Sequence, residues 1–185
     1  MNLVTSKVFN HLKIHTQYSI CEGALRTSDL AKYCKINKIP AIALCDTYNL
    51  CGALEFSELM AKSKTQPIIG SQINIEYKGI IGKLPFFAKN LQGYKNLIKL
   101  SSKSYLEIKD NEDPHCKFDD IVKNSEGLIL LSGTLEGLIG KLFFKNLTDI
   151  TLDLLKELKV IFNDNFYLEI QRHGDEGEKL YEKFM

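Results

Sequence analysis

Two histidines and a lysine near the start of the chain are spaced so that they could affect metal binding. His11, Lys13 and His15 alternate along a predicted strand, so their side chains should point to the same side. Two imidazoles at this spacing could ligate a metal ion, although a pair of half-buried histidines is the commoner role. The ammonium of Lys13 lies between them and would repel a metal cation unless the side chain turns away.

Two carboxylates follow in the next part of the chain. Glu22 lies in a predicted turn and is either a metal ligand or a loop charge. Asp46 follows the short apolar run 41–45, and burying an acid is costly unless it has a partner. Asp46 could therefore coordinate a metal, pair with Lys13, or cap the helix predicted to start near Asn49.

These residues must be positioned by secondary structure, and strand and helix patterns alternate along the chain. Strands are predicted at 8–15, 41–45, 67–75, 84–88, 127–132 and 166–171. Helices are predicted at 30–38 (with a start signal at 27–29), 50–64, 93–106, 135–144, 149–162 and 175–185. The polar loop 109–117 is too short to be a domain linker. This order predicts an α/β fold with a parallel sheet, either a barrel or an open sheet.

Polar residues recur where the predicted strands end. Sites in parallel α/β folds lie at the carboxyl ends of the strands, so these side chains could converge on one mouth. Loops also begin at strand ends, which is the simpler reason for polar residues there. The residues at these positions are His15, Asp46, Gln72, Ser132 and His173.

Composition excludes several classes of protein. The 185 residues carry a formal net charge of +1, which excludes a strongly basic nucleic-acid arm and predicts weak DNA binding by this chain alone. The five cysteines, without a Cys-x-x-Cys pair, indicate reduced thiols in a cytoplasmic protein, most of them in the core. No apolar run is long enough for a membrane span. The dinucleotide-binding, P-loop and Gly-x-Ser-x-Gly motifs are absent.

Six segments, in this order and spacing, resemble the amino-terminal PHP domain of bacterial replicative DNA polymerases, the α subunit of DNA polymerase III. The resemblance runs from about Phe9 to the end of the chain. The segments are 11–23 (HLKIHTQYSICEG), 46–56 (DTYNLCGALEF), 67–70 (PIIG), 93–97 (GYKNL), 126–133 (EGLILLSG) and 167–174 (YLEIQRHG).

The resemblance implies one PHP domain over residues 1–185, a distorted (βα)7 barrel truncated near its C-terminal end. The family's last motif, Asp-x-His, and the polymerase palm, fingers and thumb with their Mg²⁺ ions are not among these residues. In active relatives, His, Asp, Glu and Cys ligands hold up to three metal ions for phosphoester hydrolysis, including 3′–5′ proofreading. Other polymerase PHP domains act as scaffold, including as a dock for a proofreading exonuclease subunit.

Three positions depart from the family's metal-binding pattern. Lys13 replaces the first histidine of His-x-His, Thr47 replaces the histidine of Asp-His, and Gln72 replaces a glutamate. These losses leave little negative charge for a metal cluster, so we expect no cofactor, with residual Zn²⁺ or Mn²⁺ as the alternative. The remaining candidates for vestigial metal ligands are His15, Glu22, Asp46 and His173.

The charge at the mouth of the barrel predicts a role for the lysine. We expect the Lys13 ammonium to occupy the space of a missing metal and to bond to Asp46 or Glu22. The chain is accordingly interpreted as a structural and partner-docking module with a degraded phosphoesterase site. Expected partners are the remaining polymerase domains, a proofreading exonuclease subunit, and DNA through the whole polymerase. The alternative is a standalone metal-dependent phosphoesterase of the PHP superfamily, similar to histidinol phosphatases.

Overall fold

The computed structural model describes residues 9–109 and 111–185. Within these ranges the helices are α1 (Thr27–Asn37), α2 (Ala53–Lys62), α3 (Leu91–Leu106), α4 (Phe118–Lys123), α5 (Leu138–Phe144), α6 (Thr148–Phe162) and α7 (Glu178–Phe184). The strands of the same ranges are β1 (Ala41–Thr47), β2 (Gln66–Tyr77), β3 (Ile80–Ala88), β4 (Cys116–Lys117), β5 (Leu128–Leu131) and β6 (Phe166–Tyr167).

The strands form one mixed sheet in the order β1-β2-β3-β5-β6, with β4 beside β2. β1 pairs with β2 in parallel, and so does β5 with β6. β3 is antiparallel to both of its neighbours, so the prediction of a parallel sheet is wrong at this strand. The cause is the short connection from β2 to β3, in which Lys78 and Gly79 have φ values of 48° and 79°. Such a two-residue turn makes a hairpin, whereas a parallel crossover needs about a dozen residues.

The segment 11–16 follows the outer edge of β1 without forming a regular strand. Ala43 and Cys45 donate backbone hydrogen bonds of 2.9 Å to the carbonyl oxygens of His11 and Ile14, respectively. The two donors are two residues apart and the two acceptors are three apart. One extra residue therefore bulges out of the segment and interrupts the ladder.

The predicted strand at 8–15 is thus wrong as a regular strand, and residue 8 lies outside the described residues. Because of the bulge, the prediction that His11, Lys13 and His15 point to the same side holds only in part. Lys13 and His15 line the same cleft. His11 is exposed and contacts Phe9 edge-on, with the ring centroids 4.9 Å apart.

Other predicted elements exist with different limits. β2 continues two residues beyond the predicted end, and β3 begins four residues earlier than predicted. β6 is only two residues long, because the chain leaves the sheet after Tyr167. The polar loop 109–117 ends in β4, and α4, which was not predicted, follows it directly.

The core lies between the sheet and the helices. The main cluster joins β2, β3 and β5 to α3, α5 and α6, with Phe86 and Leu130 fully buried. A smaller cluster packs α1 and α2 against β1 around Phe56. None of the helices in the described residues has the length and hydrophobicity that crossing a membrane would require. As predicted, all five cysteines are free and most fill the core: Cys34, Cys45 and Cys116 are buried, and Cys21 and Cys51 are exposed.

Candidate functional site

A cleft of about 520 Å³ opens beside the N-terminal segment, β2, β3, the loop 133–137 and the segment after β6. The structure brings together here most of the residues that the sequence singles out. Asp46 and Thr47 are buried next to it and do not line it. The predicted site residues that line the cleft are Lys13, His15, Glu22, Gln72 and His173.

Asp46 is fully buried at the end of β1, and its carboxylate is occupied by hydrogen bonds from one turn. Thr16 donates its backbone N–H at 2.6 Å and its hydroxyl at 2.8 Å, and Ser19 donates its hydroxyl at 2.6 Å. These three donors satisfy the buried charge. Among the described residues, the Asp46 carboxylate therefore neither pairs with Lys13 nor caps a helix, as the sequence had suggested. It holds the 16–19 turn against β1.

The Lys13 ammonium pairs with Glu169, at 3.1 Å, and both side chains are largely buried, with 18% and 11% exposed. The expected pairing with Asp46 or Glu22 is wrong. Asp46 already accepts three hydrogen bonds, and Glu22 has another cationic partner. The backbone N–H of Glu169 donates to the hydroxyl of Ser132 at 2.8 Å, which fixes the chain after β6 beside the end of β5.

Glu22 is held by a second lysine, Lys83, and by Thr47. Lys83, on β3, lies 2.5 Å from one carboxylate oxygen, and the Thr47 hydroxyl donates a hydrogen bond to the other. Partial burial alone would raise the pKa of Glu22. The hydrogen bonds from Lys83 and Thr47 outweigh burial, so the pKa lies below its ordinary value.

His15 lies between Glu22 and Gln72. Its Nδ1 is 3.8 Å from a Glu22 oxygen, and its Nε2 is 3.3 Å from the Gln72 amide nitrogen. Burial is the main cause that lowers the pKa of His15, and the attraction of Glu22 only partly opposes it. Gln72 was predicted near a strand end, but it lies mid-strand in β2, paired in register with Thr47.

We expect His15→Gln to reduce the loss of stability on acidification. The folded chain resists protonation of His15, whereas the unfolded chain binds that proton below about pH 6.5. The free energy of unfolding is therefore larger above this pH. It decreases as the pH falls from the pKa of His15 in the unfolded chain toward its lower pKa in the folded chain. The measurement is urea unfolding at about pH 8 and about pH 5.5, above the range where Glu22 titrates.

The matched control for this prediction is His11→Gln, which removes an exposed imidazole. Its pH dependence should follow that of the unmodified chain. An equal loss of stability between the two pH values in the His15→Gln chain and in the unmodified chain would contradict a lowered pKa for this half-buried imidazole.

The side chains around the cleft do not fit a metal cluster. Lys13 and Lys83 bring two ammonium groups into its lining, and each is paired with a carboxylate. Within 9–109 and 111–185, no three His, Cys, Asp or Glu side chains are arranged to hold a metal ion. His173 is exposed, and its Nε2 lies 3.3 Å from the Gln171 side-chain oxygen.

The model of the PHP domain family matches residues 11–173. The chain belongs to the PHP family. The DNA polymerase III subunit alpha of Caulobacter vibrioides is 38% identical over 176 residues, which cover 90% of this chain. That of Rickettsia prowazekii is 35% identical over 175 residues, which cover 94% of this chain. The PHP domain described here spans about 15% of the length of these curated relatives.

A solved structure agrees with the fold of this PHP domain. A Bifidobacterium adolescentis protein, described as a metal-dependent phosphoesterase, matches with a TM-score of 0.62 at 11% sequence identity. The match covers 95% of this chain and 82% of the other. At this identity the likeness concerns the fold alone, and it confirms the predicted α/β fold of the PHP type.

Glu169 and Lys83, which complete the two ion pairs of the cleft, were not predicted as site residues. Glu169 lies within one of the six recognised segments, and an acid directly after an apolar strand is the kind of signal that marked Asp46. Lys83 carries no such signal, because a lysine in a strand usually faces solvent. Its role depends on the antiparallel placement of β3 beside β2.

Proposed function

We propose that this PHP domain is part of the α subunit of a DNA polymerase III and acts in DNA replication as a structural and partner-docking module. Its similarity to the α subunits of two bacteria over at least 90% of the chain supports the first part. The observation that carries the second part is the pair of lysine–carboxylate contacts in the cleft, Lys13–Glu169 and Lys83–Glu22.

The ion pairs argue against phosphoester hydrolysis by this domain. Metal-dependent hydrolysis needs ions that activate water and stabilise the charge developing on the phosphate. Here the positive charge of the cleft comes from Lys13 and Lys83, and their carboxylate partners are no longer free to bind a metal. We therefore propose that the domain needs no cofactor of its own, and that Mg²⁺ belongs to the polymerase part of the protein.

The proposed partners follow from the size of the relatives and the charge of the chain. The relatives are much longer than this domain, so the remaining polymerase regions are its first partners. A net charge of +1 provides little attraction for the DNA backbone, so we propose that DNA is gripped elsewhere in the polymerase. A proofreading exonuclease subunit is the proposed additional partner.

We expect no metal-dependent phosphoesterase activity from this chain. A labelled single-stranded DNA and a generic phosphomonoester should remain intact with Zn²⁺, Mn²⁺ or Mg²⁺ added, because the cleft has lysine pairs in place of a ligand set. A phosphoesterase with a complete ligand set serves as the positive control. Metal-dependent turnover that His15→Ala abolishes would contradict the proposal and favour a standalone phosphoesterase.

A further inference from the structure

An open apolar groove of about 360 Å³ lies between α4 and α6. None of its described lining residues belongs to the cleft that holds the two ion pairs. Phe118 and Ile161 are half-buried in the groove and pack on the main core cluster. Val122 and Val160 stand further out, with 48% and 75% of their surface exposed. Four apolar side chains therefore form one concave surface that the described residues leave open to solvent.

The concave shape sets this groove apart from ordinary exposed apolar residues. Single apolar side chains on a helix surface are common and need no explanation, whereas contiguous ones mark interaction sites. The volume is near the lower end of the range of about 300–1,000 Å³ that ligand sites usually have. Such a groove suits one or two anchoring side chains of a larger partner. Covering it would remove apolar surface of both partners from water, which favours association.

The charges beside the groove are unbalanced. Lys156 and Glu157 are the charged side chains among its described lining residues. Glu157 already accepts a hydrogen bond of 2.8 Å from the Tyr77 hydroxyl. Lys156 has no carboxylate partner within the described chain, whereas the next lysine of α6, Lys159, lies 4.0 Å from Asp164. The stem of Lys156 can lie along the apolar surface and keep its ammonium in water, so an acidic partner complements this edge.

The size of the relatives indicates where such a partner comes from. This domain spans about 15% of the DNA polymerase III α subunits that it resembles, so most of their polypeptide lies outside the matched region. Domains of one chain meet in interfaces of about 600–1,500 Å². Interfaces commonly combine an apolar centre with a polar rim. The α4–α6 groove, with the free ammonium of Lys156 at its edge, has both features.

We propose that the α4–α6 groove docks a segment of the remaining polymerase polypeptide that carries a large apolar side chain next to an acidic residue. The apolar side chain lies on Phe118 and Ile161, and the acid pairs with Lys156. This inference rests on the proposed docking function and gives that function a surface. Since the groove and the ion-pair cleft have separate linings, docking leaves the cleft open.

The test is a titration of the isotopically labelled chain with blocked dipeptides, followed by the NMR signals of the Val122 and Val160 methyl groups. The amide of acetyl-Leu-Glu should shift both signals, with a dissociation constant on the order of 1 mM because so small a ligand buries little surface. The amide of acetyl-Leu-Gln lacks the charge and should bind several-fold more weakly. The amide of acetyl-Ala-Glu lacks the apolar anchor and should bind about tenfold more weakly.

Variants of the chain locate the two parts of the contact. Val160→Asp puts a charge beside the apolar anchor and should lower the affinity about tenfold, measured from the Val122 signals. The matched control is Ile36→Asp on α1, because Ile36 is 78% exposed and Val160 is 75% exposed. The control should leave the affinity unchanged. Lys156→Gln should abolish the difference in affinity between the Leu-Glu and Leu-Gln peptides, and it keeps the test readable if Val160→Asp disturbs folding.

Three results would overturn the inference. They are unchanged Val122 and Val160 signals in the titration, equal affinity of the unmodified chain for the Leu-Glu and Leu-Gln peptides, and an equal loss of affinity in Val160→Asp and Ile36→Asp. Failure of the proposed function would appear separately, as metal-dependent hydrolysis with dipeptide binding intact. A chain that neither hydrolyses phosphoesters nor binds the dipeptides would overturn the docking groove alone.

Discussion

Asp46→Asn is expected to lower the free energy of unfolding by about 2–4 kcal/mol. The buried carboxylate accepts three hydrogen bonds from Thr16 and Ser19, and bonds to a charged group contribute about 1.5–3 kcal/mol each. An asparagine turns one accepting oxygen into an NH2 group, and the Thr16 hydroxyl can accept from this group only if it gives up its own acceptor. The bonds to the remaining oxygen also lose the charge of the carboxylate. At least one of these bonds is lost, and a buried polar group remains unsatisfied.

Urea unfolding followed by circular dichroism at neutral pH measures this loss. The matched control is Asp153→Asn, which removes an exposed carboxylate 3.7 Å from Lys78. The control should change the free energy of unfolding by no more than about 0.5 kcal/mol. If Asp46→Asn costs as little as the control, the carboxylate does not hold the 16–19 turn in the way the structure indicates.

Lys13→Met is expected to cost about 2–4 kcal/mol. Methionine keeps the length of the side chain and removes the ammonium, so Glu169 is left as a largely buried carboxylate without its cation. Breaking a buried pair typically costs about 3–5 kcal/mol, and the remaining hydrogen bond from Gln171 at 2.8 Å reduces the loss here. Lys32→Met is the control, because Lys32 and Asp29 form a pair with 74% and 59% of their side chains exposed.

A double variant separates the ion pair from other effects of the substitution. In Lys13→Met with Glu169→Gln, the buried carboxylate is also removed, so part of the stability lost in Lys13→Met should return. The coupling between the two positions in a double-mutant cycle should be about 1 kcal/mol or more. Additive, small effects would mean that the pair contributes no more than an exposed contact such as Lys32–Asp29.

The local elements of this fold could be predicted because their signals are local. The apolar run at 41–45 predicts β1, and the start signal at 27–29 predicts α1, and both form as expected. The direction of β3 was missed although its signal is also local. The pair Lys78–Gly79 lies between two apolar runs, which is a hairpin signal. The strand–helix alternation elsewhere in the chain favoured a parallel arrangement instead.

Only some of the residues of the candidate site could be predicted. The sequence indicated that Lys13, His15 and Glu22 lie together, because they occur in one segment, and the structure places them in one cleft. The partner of each charge could not be predicted. Glu169 is far along the chain from Lys13, and only the packing of β6 beside β5 brings them into contact.

The hairpin of β2 and β3 and the distant contact of Lys13 with Glu169 also set an order of assembly. The hairpin joins neighbours in sequence and pairs eight residues of each strand, so it closes a short loop and can form early. The contact between Lys13 and Glu169 spans 156 positions and closes a long loop. We therefore expect Gln72 and Lys83, which line one side of the cleft, to be in place before the N-terminal segment meets the chain after β6. The cleft between these two segments should accordingly be completed late in folding.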